Sequence, residues 1–126
     1  MPPEDIVAGQ LAAYNRRDLE QFLSYYADPV RLCSFPSGEE LADLSGPAFR
    51  PRYQALFESS PNLRATVSSR ITLGDIVIDE ELVTGFMGDR TIQAVAIYQV
   101  GPDKIERVWF VDRGLAARDQ RREEQQ

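Results

Sequence analysis

Apolar residues change their spacing along the chain, and each change marks an element boundary. Val7, Leu11 and Tyr14 recur at i, i+4 and i+7, a stripe that predicts a helix from about Glu4 to Asn15. The "NRRD" stretch interrupts it. Asp18 is placed to cap a second helix, with Gln21 at the capping-box position and Leu19, Phe22, Leu23 and Tyr26 as its buried face. Pro29 cannot continue that helix, and Asp28 before it is pushed towards extended backbone. "YYADPVRLCSFPSG" therefore reads as helix end, stop, short strand and turn. Val30, Leu32 and Ser34 share one face of that strand; Arg31, Cys33 and Phe35 share the other. A polar loop runs from Pro36 to Ser45. Helical spacing returns in "GPAFRPRYQALFESSP" with Phe49, Tyr53, Leu56 and Phe57. Pro47 suits a first turn, whereas Pro51 predicts a kink or a late start.

From Leu63 the period becomes two. Leu63, Ala65, Val67, Ile71 and Leu73 alternate with Arg64, Thr66, Ser68, Arg70 and Thr72, which predicts a half-buried strand. Gly74-Asp75 turns the chain into "IVIDEELVTGF", and Gly88-Asp89 turns it again into "TIQAVAIYQV"; "GPDK" then leads to "IERVWFV". The predicted class is α+β. Three helices with one strand among them precede a meander of four long strands, antiparallel through its hairpins, with the helices on one face.

Composition narrows the chemistry. A chain of 126 residues, 43% hydrophobic and 27% charged, has the make-up of one globular domain. The net charge of −6 argues against nucleic acid or an anionic membrane as partner. The polar stretch 113–126 carries four Arg against three acids, hence +1, and leaves −7 on residues 1–112; it is expected to be a flexible tail. No signal peptide and no membrane-spanning run is expected. The single Cys33 rules out an internal disulfide and fits a reducing cytoplasm. With no histidine, Ser-His-Asp and Cys-His catalysis and histidine-bound zinc are excluded. Lys104, the one lysine, sits in a turn, a poor place for a Schiff base. No glycine-rich phosphate loop is present, so no cofactor is expected. Acid–base chemistry must come from Asp, Glu, Tyr or Cys33.

The segments "YNRRDLEQFLSYYADPV", "GPAFRPRYQALF", "VIDEELVTG" and "AVAIYQV…KIERVWF" resemble, in order and spacing, the nuclear transport factor 2-like superfamily. Within it the chain is most similar to the polyketide cyclase (SnoaL-like) and steroid Δ-isomerase group. The resemblance covers about residues 4 to 112. It implies a cone-shaped, cystatin-like fold with a curled antiparallel sheet, a pocket between helices and concave sheet, and a homodimer through the convex face. It also implies a small apolar or aromatic ligand. Ketosteroid isomerases of this group use a helix tyrosine, an aspartate base on the first strand and a protonated aspartate on the penultimate strand. Those roles align with Gln10, Ser34 and Ala96 here. A serine without a partner base cannot take a carbon-bound proton near neutral pH, and alanine cannot donate to an oxyanion. The epoxide-hydrolase branch needs an Asp–Arg–Asp set, but its strand positions hold apolar residues such as Val83 and Phe110.

"DEE" at 79–81 is the remaining carboxylate candidate. If Gly88-Asp89 is a two-residue turn, Met87 pairs with Arg90, Glu81 faces Ala96 and Val83 faces Ala94. Glu81 would then be an acid–base group of raised pKa in an apolar wall. Two other readings stand: a register differing by one that turns Glu81 outward, or an ion pair with an arginine. Tyr14 is either a hydroxyl aimed into the pocket, catalytic beside Glu81, or a core residue. Tyr53 and Phe57 either cap the pocket or fill core. Tyr98 shares the parity of Ala94 and Ala96. Hairpin counting puts Trp109 on the face of Ala96, whereas the resemblance puts Val108, Phe110 and Asp112 there and Trp109 on the convex face; a bulge would reconcile the two. Three adjacent acids on a strand point to alternate faces, so no metal site is expected. Three functions remain open: proton transfer on a small apolar molecule, a non-enzymatic ligand carrier or sensor, and a dimeric interaction module.

Overall fold

The computed structural model describes residues 1–111; residues 113–126 and Asp112 lie outside the described residues. Helix α1 spans Pro3–Arg16 and α2 spans Leu19–Ser24. Asp18 caps α2, its carboxylate accepting from the Gln21 N–H at 3.2 Å. Strand β1 covers Tyr26–Phe35 and starts earlier than Pro29 suggested. Tyr26 pairs with Ile105, and the ladder resumes only at Arg31–Arg107, so Pro29, which has no N–H to donate, lies in the irregular stretch between. A 3₁₀ turn at Gly46–Ala48 precedes α3, Phe49–Ser59. That is the late start: Pro51 falls in the first turn of α3, where no N–H is needed.

Strands β2 (Arg64–Leu73), β3 (Ile76–Phe86), β4 (Arg90–Val100) and β5 (Ile105–Val111) form the meander. The sheet order is β1-β5-β4-β3-β2, and the sheet is curled but unclosed. Three of its ladders are antiparallel, while β1 joins β5 in parallel. The sheet is therefore mixed rather than wholly antiparallel, because β1 reaches the sheet through a crossover and not through a hairpin.

Two irregularities decide what faces the helices. In β2 the register slips between Val67 and Ser69. A bulge reverses the alternation that follows it. Ile71 and Leu73, expected to face inward with Val67, are instead 60% and 81% exposed, and Arg70 turns inward. In the β3–β4 hairpin Phe86, not Met87, pairs with Arg90, and the ladder slips again before Val83–Ile92. Glu81 consequently faces Ala94 and Asp79 faces Ala96, two positions from simple counting, so the inward parity of Glu81 is unchanged. Gly85 makes this bend possible: its φ is +65°, and a Cβ there would run into the Asn62 carbonyl.

On β5, Phe110 pairs with Ala96, Val108 with Tyr98 and Trp109 with Ile97, after a slip between Gln99 and Val100. Val108 and Phe110 thus share the concave face, and Trp109 lies on the convex face under the Arg107 guanidinium, 4.8 Å from the ring centroid.

The core lies between the concave face and the helices. Phe22 is 1% exposed and central, with Tyr53, Tyr26 and Phe57 ring centroids at 4.9, 5.0 and 5.6 Å. The "NRRD" break does more than end α1. The Asn15 side chain donates to the Ala65 carbonyl at 3.0 Å and accepts from the Ala65 N–H at 2.7 Å, as a neighbouring strand would. Arg17 donates to the Leu63 carbonyl at 3.0 Å. These bonds fix α1, and with it Gln10 and Tyr14, over the sheet. Among the described residues no helix is long and apolar enough to cross a membrane.

Candidate functional site

A cavity of about 550 Å³ separates the helices from the concave sheet. That volume suits a small organic molecule. Of the residues singled out from the sequence, Gln10, Tyr14, Ser34, Tyr53, Glu81, Val83, Ala94, Tyr98 and Phe110 line it. Ala96 does not. It is fully buried between Asp79 and Phe110 in the sheet, because the two-position shift brings Ala94 opposite Glu81 instead. Phe57 is core, packed edge-on to Phe22. Leu11, Leu44, Phe86 and Ile92 complete much of the apolar wall, and exposed Arg52 and Met87 also line the cavity.

The polar part of the wall is a connected chain. Tyr26 Oη donates to Gln10 Oε1 at 2.8 Å. Gln10 Nε2 donates to the Val7 carbonyl at 3.0 Å and to Tyr98 Oη at 3.4 Å. Tyr98 Oη donates to Glu81 Oε2 at 3.2 Å. Burial pushes the Tyr26 and Tyr98 hydroxyls well above the ordinary phenol range, so both are neutral donors near pH 7.

Glu81 is 8% exposed. Its pKa is raised to about 7, chiefly by burial and then by the charge of Asp79; the Tyr98 hydrogen bond and Arg70 pull the other way. Asp79 is fully buried beside it, two residues back on the same face. Arg70 forks onto Asp79, Nε to Oδ1 at 2.7 Å and Nη2 to Oδ2 at 2.9 Å. The ion pair anticipated for Glu81 therefore belongs to Asp79. Among the described residues Glu81 makes no ion pair of its own. A carboxyl near half-ionisation at pH 7, in an apolar wall, can both give and take a proton.

The sequence reading named Asp79 only as part of the "DEE" stretch and gave no site role to Arg70 or Tyr26. A signal for the first two was present. Asp79 shares strand parity with Glu81, and Ser69 stands where the apolar alternation of β2 requires an apolar residue, which is the mark of a bulge. Cys33 is buried on the outer side of β1, against the loop bridged through Glu40. Among the described residues no three acidic or thiol side chains cluster to hold a metal ion.

The mixed curled sheet, its covering helices and the cavity between them define an α+β protein of the cystatin-like, nuclear transport factor 2-like class. More specifically, the chain belongs to the SnoaL-like domain family, whose profile matches residues 7–108. No functionally curated protein matches it. Among solved structures it is similar to an uncharacterised cystatin-fold protein from Novosphingobium aromaticivorans, at 25% identity and a TM-score of 0.76 over 89% of this chain and 99% of that one. It is also similar to IdmH, a putative polyketide cyclase from Streptomyces antibioticus, at 18% identity and a TM-score of 0.70 over 87% and 91% of the two chains. A putative ketosteroid isomerase from Kribbella flavida shares 20% identity and a TM-score of 0.66 over 86% and 76%. The last two likenesses establish the fold alone.

Proposed function

We propose that the protein binds a small, largely apolar molecule in this cavity and moves a proton next to its carbonyl group, with Glu81 as the acid–base residue. One observation carries the reading: a buried carboxyl with a pKa near 7 stands in the cavity wall without an ion-pair partner among the described residues. Tyr14 and Tyr53 lie across the cavity from the sheet, on α1 and α3. In this reading Tyr14 offers its hydroxyl to the ligand's polar head. The reaction is not that of a ketosteroid isomerase working through its usual residues, because Ser34 stands where the strand base is expected and Ala96 is outside the cavity. The alternative is a carrier or sensor that uses the same cavity without conversion.

Bicyclic aromatic ketones such as 2-tetralone are suitable probes. In heavy water the protein is expected to exchange their α-hydrogens for deuterium, followed by NMR. Glu81→Gln is expected to retain binding and lose at least a hundredfold in exchange rate. Exchange at the wild-type rate in Glu81→Gln would reject the role of Glu81; tight binding with no exchange in the wild type would select the carrier.

The proposal includes a second copy of the chain on the convex face. Ile71, Leu73 and Leu82 are exposed there, and Ile78 on β3 and Ile97 on β4 continue the row from Ile71 across to Trp109 on β5. Sedimentation equilibrium is expected to give twice the chain mass of 14.2 kDa, and Leu73→Glu to halve it. A monomeric wild type at tens of micromolar would refute the dimer.

A further inference from the structure

The chain Tyr26–Gln10–Tyr98–Glu81 has a direction, and a backbone group sets it. A carbonyl can only accept a hydrogen bond, so the Gln10 atom 3.0 Å from the Val7 carbonyl must be the amide nitrogen. The amide oxygen then faces Tyr26, whose hydroxyl must donate to it, and does so at 2.8 Å. The second amide hydrogen points to Tyr98 Oη at 3.4 Å, which makes that oxygen an acceptor. The Tyr98 proton is left with one described partner, Glu81 Oε2 at 3.2 Å. Every donor in the chain points towards the carboxyl.

We infer that Gln10 is a positioning residue, which commits the Tyr98 hydroxyl to Glu81 Oε2 and so leaves Glu81, not Tyr98, to meet the ligand's polar head. This rests on the reading of Glu81 as the acid–base group of the cavity and adds to it who donates to whom. A tyrosine on the sheet of such a cavity is otherwise free to hydrogen-bond the ligand directly. Here its proton is already placed. Of these two side chains, the one that exchanges a proton with bound molecule is Glu81. Such a site suits a ligand with a single carbonyl or hydroxyl head at the sheet end, rather than one that needs two donors from β3 and β4.

The charged and titratable groups around Glu81 come from each packed element. They are Asp79 on β3, Arg70 on β2, Tyr98 on β4, Tyr26 on β1, Tyr14 on α1 and Tyr53 on α3. Gln10 has no hydrogen bond to Glu81, Asp79 or Arg70 among those described, and its hydrogen-bonded route to Glu81 runs through Tyr98.

Carbon-13 NMR titration of the Glu81 side-chain carboxyl in the full chain tests this without any ligand. Tyr98→Phe removes the donor and is expected to move the midpoint up from about 7 by roughly one unit. Gln10→Leu is expected to move it up by about half as much, because the Tyr98 hydroxyl is then free to turn away. The double variant is expected to titrate as Tyr98→Phe alone. Additive shifts, or a Gln10→Leu midpoint equal to wild type, would overturn the inference. If Gln10→Leu does not fold, Gln10→Met with Tyr26→Phe leaves no orphaned tyrosine hydroxyl and serves the same comparison. Failure of ketone exchange with the expected titrations would reject only the catalytic reading, whereas failure of the titrations with exchange intact would reject only the role of Gln10.

Discussion

Replacing Arg70 by Met is expected to destabilise the protein by about 3 kcal/mol, measured as the loss in urea unfolding free energy at pH 8. Asp79 is fully buried, and both its oxygens are held by the Arg70 guanidinium at 2.7 and 2.9 Å. The Arg70 side chain is 26% exposed, so most of the cost falls on the carboxylate left behind. Water cannot reach that carboxylate to replace the guanidinium. A surface ion pair behaves differently: losing one is worth at most about 1 kcal/mol. Arg70→Met combined with Asp79→Leu removes both charges, and at least half of the lost stability is expected to return. A double variant no more stable than Arg70→Met would show that the pair acts through packing and not through charge.

The second large effect concerns Glu81 and pH. Its carboxyl titrates at about 7 when folded and near 4.5 when unfolded. Below pH 4.5 the group is protonated in both states and the penalty of burying a charge is absent. Between 4.5 and 7 the folded state holds the extra proton, so stability falls as pH rises, and it levels off above 7. The full span amounts to about 3 kcal/mol. Glu81→Gln carries no such charge. The variant is expected to unfold at about the same urea concentration as wild type at pH 4.5, and to be more stable by about 3 kcal/mol at pH 8. Equal stabilities at pH 8 would show that Glu81 is solvated when folded, and the acid–base reading would lose its physical basis. A site that lowers the stability of its own fold in the range where it works is a familiar sign of function.

Much of the fold was legible because the relevant signals are local. The helical stripe of Val7, Leu11 and Tyr14, the Asp18 cap and the Gly-Asp turns act within a few residues of themselves. The inward reading of Glu81, left open against an outward one, survived an incorrect pairing partner, since the observed pairing differs from simple counting by two positions. What was not legible depended on irregularity or distance. The slip after Val67 moved Arg70 inside and Ile71 out, and only the polar residue at 69 hinted at it. Tyr26 read as the last turn of a helix, yet it opens β1 and reaches Gln10. The parallel pairing of β1 with β5 joins residues some eighty positions apart, and no local pattern announces such a partner. The Tyr26–Gln10–Tyr98 chain is equally hidden, because it gathers one residue each from β1, α1 and β4.

The slip at Ser68 has a bearing on how such a chain can change by inheritance. Beyond that point the interior residues on β2 are set by their partners on β3, not by plain alternation along the sequence. Deleting a single codon there would leave the two sides of the strand as they are: Val67 would still stand opposite Glu81 and Arg70 opposite Asp79, now two residues apart in plain alternation. A lineage could therefore shed the extra residue in one step and keep its charged interior, with Ile71 still outside.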